Sequence, residues 1–154
     1  MTRYVALPTA LVRAIQSGGS DAYGIPPERC VSTGNGNPCR HCLRFIPDGQ
    51  EMLILAHRPF RDLHPYAETG PIFLCAEPCE RFDERGVPPI LKFSPSYLIR
   101  GYSKQDRIVY GTGAVVETSE LDTQASVIFE NPEVEYIHVR SARNNCYQAR
   151  IDRG

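Results

Sequence analysis

No stretch of this chain is apolar for long enough to cross a membrane. Its longest hydrophobic runs, such as Met52-Leu53-Ile54-Leu55-Ala56, are the length of a strand, whereas a spanning helix takes about 20 residues. No membrane association is therefore expected. The first residues, with Arg3, Pro8 and Arg13 among them, contain no continuous apolar segment ahead of a small-residue cleavage site, so the reading is a cytoplasmic protein. Excess charge is missing too. Seventeen basic residues face eighteen acidic ones, a formal net charge of −1, which leaves no long-range field to draw in nucleic acid or anionic lipid. Arg140, Arg143, Arg150 and Arg153 crowd the C-terminal end, but Glu133, Glu135 and Asp152 interrupt them, and the expectation is a solvated strand face without nucleic acid.

The signatures of hydrolytic chemistry are absent as well. There is no Gly-x-Ser-x-Gly elbow, no His-Glu-x-x-His helix and no pair of carboxylates at a diagnostic spacing. Gly34-Asn35-Gly36-Asn37 has the look of a glycine loop, yet no strand leads straight into it and no Lys-Ser/Thr pair follows, so a nucleotide is not expected there. Repeats, linkers and low-complexity segments are also missing. A chain of 154 residues that is 42% hydrophobic reads as one domain spanning residues 1–154.

What stands out is cysteine. Four of the six fall in two close pairs, Cys39-Arg40-His41-Cys42 and Cys75-Ala76-Glu77-Pro78-Cys79, with residues 43–74 between them. Two short thiol hooks at such an interval serve a tetrahedral metal site or an exchangeable dithiol. A reducing cytoplasm disfavours the reading of six cysteines as three structural bridges.

The local signals describe an α+β fold with a mainly antiparallel sheet of about six or seven strands and two short helices. Arg3 to Leu7 reads as a strand. Thr9 is placed to cap a helix over Ala10 to Gln16 that Ser17-Gly18-Gly19 ends. Glycines, prolines and small polar residues make Asp21 to Pro38 a loop. Ile46-Pro47-Asp48-Gly49 is a turn by chemistry, and Glu51 to His57 follows as a strand, so the first thiol pair resembles a zinc knuckle. Pro71 to Cys75 makes the next strand, stopped by Pro78. Leu98 to Tyr102 and Arg107 to Val116 read as a hairpin, with Gly111 and Gly113 marking a bulge or a close backbone approach. A helix is expected across Leu121 to Glu130, ended by Asn131-Pro132. Glu135 to Ser141 and Cys146 to Asp152 form a last hairpin, with Ile137, Val139, Tyr147, Ala149 and Ile151 on one side and His138 facing a cleft or water.

These motifs together resemble a known family. Pro38-Cys39-Arg40-His41-Cys42-Leu43, Pro65-Tyr66-Ala67-Glu68-Thr69-Gly70-Pro71-Ile72-Phe73, Cys79-Glu80-Arg81 and Tyr136-Ile137-His138-Val139-Arg140 with Cys146-Tyr147 are similar to the uncharacterised bacterial family called domain of unknown function 1203. The resemblance implies a bacterial protein of this size without an established activity. It also implies cysteines at Cys39, Cys42, Cys79 and Cys146, a place at Cys75 that commonly holds histidine, and a Cys30 particular to this chain.

Three functional readings follow. In the first, Cys39, Cys42, Cys75 and Cys79 form a cluster that holds a structural metal, zinc, with His41, Cys146, His138, Arg40 and Glu68 as candidate neighbours. Cys75, His41 and Cys146 compete for the fourth ligand position. In the second, the protein is a thiol-dependent redox enzyme using the Cys39-Cys42 pair, with Arg40 or His41 favouring the thiolate. In the third, it is an interaction module whose buried cysteines are incidental. Glu68, with Tyr66 and Thr69, would rim a ligand pocket and could act as an acid or base. Substrate, partner and oligomeric state leave no mark in the sequence.

Overall fold

The computed structural model describes residues 2–154. Two antiparallel sheets share the work, and their topology explains where each thiol hook lands. Strand β1 (Thr2–Val5) opens the chain and helix α1 (Thr9–Gln16) follows. Strands β2 (Glu28–Val31), β3 (Glu51–His57) and β4 (Gly70–Cys75) then form a three-stranded meander in the order β2-β3-β4. The remaining strands and α-helix are β5 (Ser96–Tyr102), β6 (Ala114–Glu117), α2 (Leu121–Ile128), β7 (Tyr136–Ser141) and β8 (Tyr147–Arg153), with short 3-10 turns at Pro89–Lys92 and Thr118–Glu120. Their strands join β1 in a five-stranded sheet ordered β1-β8-β7-β5-β6. The fold is α+β and mainly sheet, with eight strands where the sequence patterns led to six or seven.

Strand β7 lies at the centre of the larger sheet, and Tyr136 to Arg140 are all buried. One face, with Ile137 and Val139, joins Ile99, Ala149 and Ile151 in a core capped by Leu121 and Ala125 of α2. The other face carries Tyr136, His138 and Arg140. Tyr147 belongs to that second face rather than beside Ile137 and Val139. The β7–β8 register shifts between Val139 and Arg140, so that Arg140 pairs with Tyr147 while Val139 pairs with Ala149. Gln148 is the extra residue of a bulge, and a one-residue slip turns every side chain beyond it over.

Five other expectations are corrected, in whole or in part. Glu28–Val31 is a strand inside the polar loop, because its backbone pairs with Glu51 to Ile54 although its side chains are exposed. Thr9 does not cap α1; Pro8 precedes the helix and the Thr9 hydroxyl is engaged elsewhere. The second helix ends at Ile128, and Glu130 and Asn131 close tighter turns onto Val127 and Ile128 before Pro132. Between Tyr102 and Ala114 regular pairing gives way to an isolated Tyr102–Ile108 bridge and a turn at Gly111, whose φ is 91°. The cationic C-terminal residues are solvated only in part, since Arg143 and Arg153 are exposed as expected but the others are not. Arg140 is buried, Arg150 stacks over the Tyr136 ring at 4.0 Å, and Arg153 donates to the carbonyls of Phe129, Asn131 and Val134.

Candidate metal centre

The first hook is a knuckle of backbone. Cys39 N–H donates to the Arg44 carbonyl at 3.0 Å, and Leu43 N–H returns to the Cys39 carbonyl at 3.0 Å. The turn needs a left-handed residue, and Leu43 takes that role at φ 52°, a conformation that disfavours any side chain with a Cβ. Its side chain is fully buried against the large-sheet core, and that burial holds the strained backbone in place. Cys39 and Ile46, by contrast, belong to the core under the small sheet. The knuckle therefore reaches both cores. It is sewn down by Arg40 N–H to Phe73 O at 3.1 Å, Leu7 N–H to Arg40 O at 3.1 Å, Phe82 N–H to His41 O at 2.9 Å and Ile90 N–H to Leu43 O at 3.2 Å.

The second hook leaves the end of β4, where Cys75 is still paired with Met52. Helix α1 braces it. Gln16 donates to the carbonyls of Cys75 at 2.9 Å and Glu77 at 3.0 Å, and Arg13 donates to the Cys79 carbonyl at 2.7 Å. Thr9, Arg13 and Gln16 stand at i, i+4 and i+7, one polar stripe of the helix, while Val12 and Ile15 are its buried residues.

Between the hooks, the sulfurs of Cys39, Cys42, Cys75 and Cys79 all lie within 4.8 Å of one another. Cys39 and Cys79 are 3.9 Å apart. Four sulfurs around an ion at about 2.3 Å stand about 3.8 Å from each other, whereas a disulfide requires about 2.05 Å. None of the six cysteines is bridged. The spacing fits a four-thiolate ion cage, and the donor set fits a soft, tetrahedral metal.

Electrostatics makes the same point. Hydrogen bonds from Cys42, then Cys75 and Cys79, drive the Cys39 thiol far below its ordinary pKa, whereas sharing with Cys39 drives Cys75 and Cys79 far above theirs. Cys42 is opposed by its bond to Cys39 but lowered overall by those to Cys75 and Cys79, so two of the four sulfurs are favoured as thiolates and two are opposed, and a fully ionised set calls for a cation. The surroundings supply secondary support. His41 is fully buried, with Nδ1 3.1 Å from the Cys79 sulfur and Nε2 2.9 Å from the Thr9 hydroxyl. Cys75 N–H donates to the Cys39 sulfur at 3.4 Å. Arg40 is buried, donates to the Tyr147 and Pro38 carbonyls, and has its pKa lowered to about 10, chiefly by burial.

Of the candidate neighbours, His41 and Arg40 adjoin the thiol cluster and three others lie elsewhere. Cys146 is separated from it, its sulfur 3.7 Å from the Asn144 carbonyl. The fourth sulfur comes from Cys75, because β4 delivers it directly beside Cys39 through the Cys39–Phe73 bridge. His138 is buried rather than exposed to water, ringed by Phe60, Tyr102, Tyr136 and Tyr147. Glu68 is tied to Arg100 at 2.7 Å and Arg140 at 3.3 Å. Cys30 is exposed on β2. Thr9, Arg13 and Gln16 were missed as site residues, although their helical spacing was visible.

Residues 36–153 match the family described as "Protein of unknown function (DUF1203)". The chain belongs to that family. The match takes in all four clustered cysteines, together with His138, Arg140 and Cys146, and begins after α1, so the bracing residues Thr9, Arg13 and Gln16 lie outside it. No curated protein and no solved structure gives a significant match. Among the described residues, no helix is long and apolar enough to cross a membrane.

Proposed function

We propose that Cys39, Cys42, Cys75 and Cys79 hold one structural zinc ion, and that this ion fastens the knuckle at the junction of the two sheets in a bacterial cytoplasmic binding protein. The observation that carries the reading is the mutual approach of four sulfurs to tetrahedral rather than disulfide spacing. Zinc accepts four thiolates without a geometric or redox demand of its own, and four protein ligands leave no open position for substrate. That favours a structural over a catalytic role. Unbridged thiols at all six cysteines suit a reducing compartment.

Burial argues against the redox alternative. An exchanging dithiol presents its nucleophile to a partner, but Cys39 is fully buried and Cys42 is partly buried. The incidental-cysteine reading leaves unexplained why His41, Arg13 and Gln16 all spend hydrogen bonds on the two hooks.

The test is elemental analysis combined with thiol titration on protein purified under reducing conditions without chelator. About one zinc per chain, with four thiols that react only after chelation or unfolding, is the expected result. Metal-free protein whose Cys39 and Cys42 react rapidly while folded would overturn the proposal and favour the dithiol reading.

A further inference from the structure

A cavity of about 210 Å³ lies apart from the thiol cluster, between the approach to β4 and the β7–β8 turn. His57, Glu68, Thr69, Arg140, Asn144 and Cys146 are among its walls. Arg140 is the unusual member. It stands on the central strand with only 5% of its surface exposed, and its guanidinium is half used. Nη1 donates to the Asn145 carbonyl at 3.2 Å and lies 3.3 Å from a Glu68 carboxylate oxygen. Nε and Nη2 are buried and have no partner.

Those two nitrogens form the side-on fork of the guanidinium. Their parallel N–H bonds match two oxygens of a single carboxylate or phosphate, the arrangement in which arginine binds such groups most strongly. His57 on the same wall repeats the pattern, since its Nε2 is also buried and unpartnered. Burial, with Arg40 and Arg58 nearby, lowers the His57 pKa to about 4, so this imidazole is neutral at pH 7 and keeps one N–H to donate. Buried donors without partners are rare in proteins and ask for a ligand or ordered water.

Charge distinguishes between the two. Glu68 is the one carboxylate in the cavity wall, and it is divided between Arg140 and Arg100. Two cations share one anion, which leaves a positive charge beside the free fork. Water would satisfy the N–H groups but not that charge, whereas an oxyanion does both.

We propose that this cavity binds the carboxylate or phosphate group of a small molecule, held by the Nε/Nη2 fork of Arg140 with His57 Nε2 as a third donor. Thr69 and Asn144 offer polar contacts to the remainder of the ligand, and the Cys146 thiol on the wall reports occupancy without taking part. The site stands independently of the metal centre.

The experiment uses the metal-loaded protein as purified. Inorganic phosphate and acetate are titrated separately at constant ionic strength. Two signals are read: the Arg140 Nε–H resonance, and the rate of Cys146 alkylation by iodoacetamide mapped by mass spectrometry. One of the two anions should shift the resonance saturably and slow Cys146 alkylation several-fold at about 10 mM, ten times a Kd of about 1 mM, while exposed Cys30 reacts unchanged. Which arm responds identifies the group. Arg140→Lys, which keeps the charge and loses the fork, should bind at least about tenfold more weakly. If that variant does not fold, His57→Phe should weaken binding several-fold. Failure of both anions to protect Cys146 in the unaltered protein, or unchanged affinity in a folded Arg140→Lys, would overturn the proposal.

Discussion

His41 Nδ1 lies 3.1 Å from the Cys79 sulfur while Nε2 of the same ring meets the Thr9 hydroxyl at 2.9 Å. When Cys79 is a thiolate, Nδ1 must be the donor, which leaves Nε2 to accept from Thr9. The ring thus links a residue of α1 to a sulfur of the second hook. Partners that orient a metal ligand typically affect affinity by about 10- to 100-fold. We expect His41→Phe, which fills the same space without the N–H, to weaken zinc binding by that order in competition with a chromophoric chelator. Unchanged affinity would show that the contact is packing alone.

Serine at any of the four clustered positions should have a different effect from serine at the other two. Cys42→Ser or Cys79→Ser is expected to lower the zinc content well below one per chain and to reduce Tm, because structural zinc contributes directly to folding. Cys30→Ser and Cys146→Ser should retain full occupancy. Loss of metal in Cys146→Ser would place the fourth ligand where the structure does not.

The brace from α1 predicts a stability effect with a kinetic companion. Gln16→Leu removes two hydrogen bonds to the carbonyls of Cys75 and Glu77, each worth about 1 kcal/mol. Denaturant unfolding should show a loss of about 1–2 kcal/mol, and zinc should leave the variant faster under chelator. A variant as stable and as slow to release metal as the parent would mean that the second hook does not need the helix.

Three imidazoles with lowered pKa values set a pH dependence, His57 and His138 away from the thiol cluster and His41 beside it. Burial lowers the His57 pKa to about 4, and burial together with Arg140, Arg150 and Arg100 lowers that of His138 well below its ordinary value. Unfolded, each would protonate near pH 6.5. Below that pH the unfolded chain binds more protons, so their contribution is fully present above pH 6.5 and is lost as pH falls toward the folded values. The loss is about 1 kcal/mol per histidine between pH 7 and 5.5. His138→Phe should remove one histidine's share of this slope in urea melts at matched zinc occupancy. An identical slope would exclude His138 as a contributor.

Gly101 on β5 tests the packing of the large sheet. A Cβ there would stand 2.9 Å from Val134 Cγ2 and 3.2 Å from Thr112 Oγ1, and that hydroxyl also receives the Gly101 N–H at 2.8 Å. Gly101→Ala should destabilise by about 1–3 kcal/mol. A neutral result in thermal unfolding would show that Val134 yields without cost.

Much of the frame was legible because local chemistry decides it. Alternation marked β3, β7 and β8, and paired thiols marked the cluster. What escaped depends on distant partners. The choice of Cys75 over Cys146 follows from β4 lying beside the knuckle, and no spacing along the chain encodes that adjacency. Strand β2 has exposed side chains, so no hydrophobic pattern announces it; its pairing with β3 alone makes it a strand. The bulge at Gln148 turned Tyr147 over, and the burial of Arg140 requires a strand covered on both faces, where an alternating stretch of arginine and glutamate read as solvated.

The first strand forms one edge of the larger sheet and is paired with the last, since Thr2 to Val5 pairs with Arg150 to Arg153. During synthesis β1 must therefore wait for nearly the whole chain before it finds its neighbour. The four clustered cysteines, and the three strands of the small sheet, are all complete by Cys79. A nascent chain could thus gather its thiols and settle the meander while the other sheet still lacks β5 to β8, so the order of emergence makes the small sheet the first part able to form and the β1–β8 seam the last.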